Sequence, residues 1–394
     1  TAGLTMSMLD EGTAKRDALQ ISEEAERLGA EISTTANVDM STVSLSALKE
    51  NLSDSVSLVA DIVQNPAFRD EDLARLKQLT LAQIAQEKAQ PFSIALRELP
   101  PLLYGEGHPY GIPFTGSGTE AAVSSIERDD LTDFHQSWIR PDNVKIFITG
   151  DTTMAEIKPV LERNFGKWQT PSTDKGSKTL GDVAMSDKTR VLIVDRPGSP
   201  QSLILAGHLA PPTGVENNVA IGAMNDIIGG QFTARVNMNL REDKGWAYGA
   251  FTFMPDVRGQ RPYLVYAPVQ TDRTGDSLQE LVKELTAFTT DAPASDAEVE
   301  RVINNAVRSL PGQYETSGAV LGAMLDNERF ERAVDYQAQL TAMLRGLETA
   351  DIRSAADQVI HPNSLIWLVV GDRAAIEGQI RDAGFEDIEI LSTE

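Results

Sequence analysis

The sequence predicts an α+β protein made of two homologous domains, and three observations carry that reading. Apolar residues recur at helical spacing in about ten segments, and short β-branched or alternating runs lie between them. Residues 127–151 and 348–372 resemble each other at a constant offset of 221. A polar stretch from about Gly166 to Lys188, with Pro171, Ser172, Thr173, Gly176, Ser177 and Gly181, separates the two copies as a linker would.

In the repeat, Glu127 pairs with Glu348, Asp130 with Asp351, Ile139 with Ile360, Pro141 with Pro362, and Gly150-Asp151 with Gly371-Asp372. Each copy reads as a helix leading through a proline into an apolar strand and then a Gly-Asp turn. An upstream echo sets Asp72-Leu73-Ala74-Arg75 against Glu298-Val299-Glu300-Arg301 at an offset of 226. Such a period is far too long for a solenoid, so it marks a duplicated domain. The expected boundaries are 1–170 for the first domain, 171–188 for the linker and 189–394 for the second domain.

In the first domain the spacing predicts helices over 14–29, 47–64, 70–89, 119–138 and 153–164, with strands at 31–36, 41–47 and 144–150. In the second it predicts helices over 216–229, 231–244, 275–290, 295–309 and 334–358, the last with a break. Strands are predicted at 190–195, 202–208, 246–254, 263–270 and 365–370. Leu278, Leu281, Val282, Leu285 and Phe288 form the buried stripe of one helix, and Ser295 with Glu298 is a capping box at the start of another. Subtracting 221 from the strands at 190–195 and 202–208 places their counterparts before residue 1, so the chain is expected to begin inside its first domain, without two strands.

The 394 residues are 41% hydrophobic and 24% charged, as in a globular protein. A net charge of −23 argues against nucleic acid as a partner, because phosphate binding needs clustered Lys and Arg. Without cysteine there are no disulfides and no thiolate metal ligands. No apolar run reaches the length of a membrane span.

The stretch Leu240-Arg241-Glu242-Asp243-Lys244-Gly245-Trp246-Ala247-Tyr248-Gly249 is the most informative in the chain. Phe232, Val236 and Leu240 stand at helix spacing, Gly245 suits the left-handed residue that ends a helix, and the residues after it alternate as a strand does. Arg241 and Tyr248 therefore flank a tight reversal. A fixed cation and a phenol that converge can stabilise an oxyanion, whereas singly an Arg at a helix end is ordinarily a solvated dipole partner.

With Gly229-Gly230-Gln231-Phe232-Thr233-Ala234-Arg235 upstream, this stretch resembles the C-terminal domain of pitrilysin-type zinc peptidases, the family of insulin-degrading enzyme and mitochondrial processing peptidase. The resemblance runs from Leu4 to about Asp372. It implies that each domain is a mostly antiparallel sheet with helices packed on one side, and that the two form a half-shell. It also implies that Arg241 and Tyr248 reach the zinc site of a partner. Gly229-Gly230 lacks the Lys-Ser/Thr that completes a phosphate loop; it is read as a turn between helices and assigned to substrate binding.

The family's first domain carries H-x-x-E-H, in which two His bind zinc and the Glu activates water. The frame around that motif resembles Met8-Leu9-Asp10-Glu11-Gly12-Thr13, then Glu24 through Leu28-Gly29-Ala30, then Leu58 to Asn65. Aligned on Gly12-Thr13, the motif positions fall on Gly3, Met6 and Ser7, and the third ligand falls on Gln83. Glu87, one turn further on, is a lone carboxylate. Ser33 stands where active members often carry a substrate-gripping Asn. His108, His135, His208 and His361 are scattered, with no pair at i, i+4. This chain is therefore expected to bind no metal itself.

What the resemblance implies is the non-zinc-binding subunit of a heterodimeric zinc metalloendopeptidase, inactive alone. A homologous partner would hold the zinc, and Arg241 and Tyr248 would hold the substrate carbonyl or oxyanion during hydrolysis of peptides or unfolded segments. The alternatives are an inert scaffold subunit of the same fold and a peptide-binding module that uses its strand edges. Neither nucleic acid nor membrane is an expected partner. The expected location is the periplasm, with the cytoplasm as the alternative.

Overall fold

The computed structural model describes residues 1–392. They fall into two compact units, one of residues 1–86 and 116–179, the other of residues 87–115 and 180–394.

The first unit carries one antiparallel hairpin, strand β1 (Glu31–Ala36) against β2 (Ser41–Ser46). Asn37 turns it, its Oδ1 accepting the N–H groups of Asp39 and Met40. The helix Ala18–Leu28 opens on a capping box between Asp17 and Gln20 and closes on Gly29 at φ +59°. Met6, Leu9, Leu28, Leu58, Ile62 and Leu131 are among the residues of its core. The frame residues Thr13, Glu24, Asp61 and Asn65 form one network. The Asp61 carboxylate accepts from Thr13 Oγ1 at 2.9 Å, Arg16 Nη1 at 2.6 Å and Asn65 Nδ2 at 3.1 Å, and Arg16 Nε donates to Glu24 at 2.7 Å. The resemblance in this part of the chain thus rests on a structural hub rather than on chemistry.

The second unit is built on a six-stranded sheet of β3 (Arg190–Asp195), β4 (Gln201–Ala210), β5 (Phe251–Phe253), β6 (Arg261–Gln270), β7 (Ile366–Gly371) and β8 (Ile388–Ile390), in the order β5-β6-β4-β7-β3-β8. Three neighbouring pairs are antiparallel; β3 runs parallel to both β7 and β8. Val191, Ile193, Ile204, Ala206, Trp367 and Val369 point into the main core with the helices Asn218–Asn225, Thr274–Thr289, Thr349–Val359 and Arg373–Asp382. This is the expected helical layer. The helix Pro91–Tyr104 packs on β4 and β7, and Leu103 approaches Gly207, whose neighbours Ala206 and His208 point the other way. One helix therefore covers the second face, beyond the one-sided layer expected.

The duplication is visible in hydrogen bonds. In both copies the Glu N–H at the helix entry donates to the Asp carboxylate three residues on, Glu127 to Asp130 and Glu348 to Asp351, each at 2.8 Å. Arg75 and Arg301, equivalent by the upstream echo, each reach back to a preceding loop, at Glu11 and Thr233 respectively.

Where the copies differ, the strand expected at 144–150 is absent. Its equivalent, β7, is buried along its length between β3 and β4. The segment 144–149 joins neither sheet, and Ile146 is 48% exposed. A strand forms only where neighbours complete its backbone hydrogen bonds, and the described residues of the first unit hold no counterparts of β3 and β4.

Other differences are local. The helix Pro91–Tyr104 is not predicted from the sequence, because Pro100 and Pro101 lie inside it. The helix expected over 119–138 is two, Glu120–Ser125 and Arg128–Trp138. The helices Ser317–Arg329 and Arg373–Asp382 also lie outside the sequence assignment.

Candidate functional site

The segment 225–253 is locally unusual, and that shapes the site. The helix Asn218–Asn225 runs into a π-helical stretch, Asp226–Gly230, and after a loop the short helix Arg235–Asn237 runs into a second, Met238–Asp243. The continuous helix expected over 231–244 is therefore not formed. Its i, i+4 apolar spacing fits a π turn nearly as well, and tertiary bonds decide between them. Asn239 Nδ2 donates to Glu280 at 2.8 Å and Glu284 at 2.7 Å on the helix Thr274–Thr289. The Lys244 N–H then closes on Asn239 O at 3.0 Å, five residues back. π turns of this kind are frequent at functional sites.

Gly245 takes φ +68°, the left-handed conformation read from the sequence. The Trp246 N–H returns to Leu240 O at 2.9 Å. Trp246 packs against the core beneath the cations of Lys244 and Arg273. The expected strand over 246–254 shrinks to β5 and an isolated bridge between Ala247 and Val269. A Cβ on Gly249 would lie 2.8 Å from the Phe251 ring, and among the described residues the chain makes no β pairing between Ala247 and Phe251.

Arg241 and Tyr248 lie on either side of this reversal and share no hydrogen bond. Tyr248 is 86% exposed. The Arg241 guanidinium lies over the Phe232 ring, 4.4 Å from its centroid, and makes a loose ion contact of 3.4 Å with Glu242. Phe232 is itself 53% exposed. Apolar spacing places Phe232 in the helix and gives it no role; no local signal reveals its contact with Arg241.

Gly229 is buried against β5, and a Cβ there would lie 2.3 Å from Thr252 Oγ1. Gly230 is exposed, and a Cβ on it would meet Asp226 Oδ1 at 2.7 Å. Burial raises the Asp226 carboxyl above its usual range, against a hydrogen bond from Gln231.

The residues at the family's zinc positions do not fit zinc. Gly3, Met6 and Ser7 lie on the helix Ala2–Ser7, and Met6 is buried in the core. Gln83 offers an amide on the helix Asp70–Glu87. The Glu87 carboxylate is buried and accepts from Arg97 Nη1 at 2.7 Å. Among the described residues no group of three or more His, Asp or Glu could hold a metal ion. His208 and His361, far apart in sequence, do come together, but His208 Nε2 accepts the His361 N–H at 3.2 Å and its Nδ1 lies 3.1 Å from Leu209 O. Among the described residues no helix is long and apolar enough to cross a membrane.

The mixed helices and sheets in two compact units agree with the expected fold class. Two family sequence profiles match the chain, "Insulinase (Peptidase family M16)" over residues 1–108 and "Peptidase M16 inactive domain" over residues 125–306. The chain belongs to this insulinase-like M16 family. It is 23% identical over 281 residues to the uncharacterized zinc protease YmxG of Bacillus subtilis, a match that takes in 71% of this chain and 66% of that protein. It is 24% identical over 325 residues to an uncharacterized zinc protease of Mycobacterium tuberculosis, covering 82% of this chain and 71% of that one. Among solved structures, a peptidase M16 inactive domain from Pseudomonas fluorescens superposes with a TM-score of 0.85 at 21% identity, covering 94% of this chain and 89% of that one. A protease from Helicobacter pylori superposes with a TM-score of 0.86 at 16% identity, over 94% of this chain and 89% of that one.

Proposed function

We propose that this chain is the non-zinc-binding subunit of a heterodimeric zinc metalloendopeptidase, inactive alone, that supplies Arg241 and Tyr248 to the site of a homologous zinc-binding partner. The observation that carries the proposal is the presentation of those two side chains. Arg241 is stacked by one face on Phe232, with its Nε in a loose contact of 3.4 Å with Glu242, and Tyr248 stands exposed. A guanidinium and a phenol held in this way donate hydrogen bonds to a peptide carbonyl and to the oxyanion that forms from it. The zinc, in the partner, would supply Lewis-acid polarisation of the carbonyl and an activated water. Of the two glycines assigned to substrate binding, Gly230 is the exposed one, so contact with the peptide backbone would fall to it, while Gly229 sets the packing of the loop on β5.

The test is cleavage of an internally quenched peptide by this chain alone, by a zinc-binding homologue alone and by the mixture, each with zinc. Only the mixture is expected to cut. Arg241→Ala and Tyr248→Phe are each expected to lower its kcat by about 10²–10³-fold without dissolving the complex. A complex that forms and stays inert, or one whose rate ignores both substitutions, would return the chain to the scaffold reading. The periplasm belongs to the same proposal, and recovery of the native chain in the osmotic-shock fraction would support it.

A further inference from the structure

The structure assigns Phe232 and Asn237 as positioning residues for Arg241, an inference that rests on the shared-site reading above. Phe232 lies outside both helical stretches, in the loop that follows the first π turn. The face of its ring is occupied by the Arg241 guanidinium at 4.4 Å. Stacking fixes the plane of a guanidinium while using none of its N–H donors. The ion contact of Arg241, Nε to Glu242 at 3.4 Å, is loose and leaves the two terminal nitrogens for a substrate carbonyl.

The backbone that carries the ring is held by Asn237. It is fully buried on the short helix Arg235–Asn237. Its Nδ2 donates to Phe232 O at 2.6 Å, and its Oδ1 accepts the Ala250 N–H at 3.0 Å. One side chain thereby ties the residue under Arg241 to the residue two positions after Tyr248, so both arms of the reversal are referred to a single amide. The loop is anchored from the far side as well, by Arg301 Nη1 to Thr233 Oγ1 at 2.6 Å and by Arg235 to Glu298. An aspartate at 237 would keep the acceptor for Ala250 and set a carboxylate oxygen against Phe232 O.

The experiment uses the assembled complex and the isolated chain in parallel. In the complex, Phe232→Leu is expected to lower kcat by about 10- to 100-fold, the range for a displaced catalytic group, with KM and complex affinity unchanged. Phe232→Tyr, which keeps the π face, should restore the rate. Phe232→Leu added to Arg241→Ala should cost nothing further. In the isolated chain with 13C-labelled arginine, the ring-current shift of the Arg241 δ-methylene should be present in the wild type and in Phe232→Tyr, lost in Phe232→Leu and reduced in Asn237→Asp. If Arg241→Ala leaves the rate unchanged, the shared-site reading fails and the inference falls with it. If Arg241→Ala is crippling while Phe232→Leu matches the wild type in rate, or the δ-methylene shift ignores Phe232, positioning alone is overturned.

Discussion

Arg235 and Glu298 meet through two parallel hydrogen bonds, Nε to Oε1 and Nη2 to Oε2, each 2.7 Å long. The same guanidinium lies over Phe288 and donates to the carbonyls of Ala292 and Pro293, so it joins the start of the site-bearing helix to the entry of the helix Asp296–Gln313. Partial burial works to raise the Glu298 carboxyl, but the bonds from Arg235 and Ser295 outweigh it and hold the group at about 2. The folded value lies below the ordinary 4.5, so the stability it confers is present above pH 4.5 and lost as pH falls toward 2. Glu298→Gln is expected to cost roughly 2 kcal/mol at pH 7, allowing for partial exposure. Urea titrations should show the gap between variant and wild type closing between pH 4.5 and 2.

His208 sets a second pH window. Burial lowers the imidazole to about 4, the hydrogen bond to Leu209 O opposes this, and neighbouring His361 adds to it. The folded value lies below the ordinary 6.5, so the unfolded chain takes up the proton first. Stability from this residue is intact above pH 6.5 and drains away between 6.5 and 4. His208→Gln should remove that part of the slope in the urea midpoint and leave the lower window of Glu298 untouched.

Asp61 is the hub of the first unit, and its carboxylate is almost fully buried. Asp61→Ala would take the acceptor from Arg16 Nη1 and from the buried Thr13 hydroxyl while Arg16 keeps Glu24, at an expected cost of about 1–3 kcal/mol. Chemical denaturation followed by hydrogen exchange should place the loss in residues 1–86 and 116–179, with amides of the six-stranded sheet unaffected.

Two glycines near the site should respond for different reasons. At Gly229 the added methyl group would collide with Thr252, and overpacking of that kind costs about 1–3 kcal/mol. At Gly245 a Cβ has open space, but φ is +68°, so alanine would cost about 1 kcal/mol through backbone strain alone. Crystal structures of the two variants would separate the cases, with β5 displaced in Gly229→Ala and unmoved in Gly245→Ala.

The sequence is most legible where a rule is local. The strand expected at 190–195 is β3, that at 365–370 is β7 within one residue, and the capping box at Ser295 appears where its residues stand. It is least legible where distant residues decide. Apolar spacing around Val236 and Leu240 cannot reveal that this stretch forms a π turn from which Asn239 bonds Glu280 and Glu284. Alternation through Trp246, Tyr248 and Ala250 cannot reveal that Asn237 captures the Ala250 N–H and delays the strand. The proposed site follows the same division. The candidates Arg241 and Tyr248 are picked out by their spacing and neighbours, whereas Phe232 and Asn237 enter the proposal only through what they touch.

The allocation of residues 87–115 has a consequence for how this protein can be handled. The chain leaves its first unit after Gln86, deposits the helix Pro91–Tyr104 on β4 and β7, and returns at Gly116. A gene divided at the linker would therefore part the second sheet from its own roof and leave Leu99 and Leu103 with nothing to cover. Independent expression of the halves needs a circularly permuted or spliced gene, in which that helix travels with the sheet it shelters.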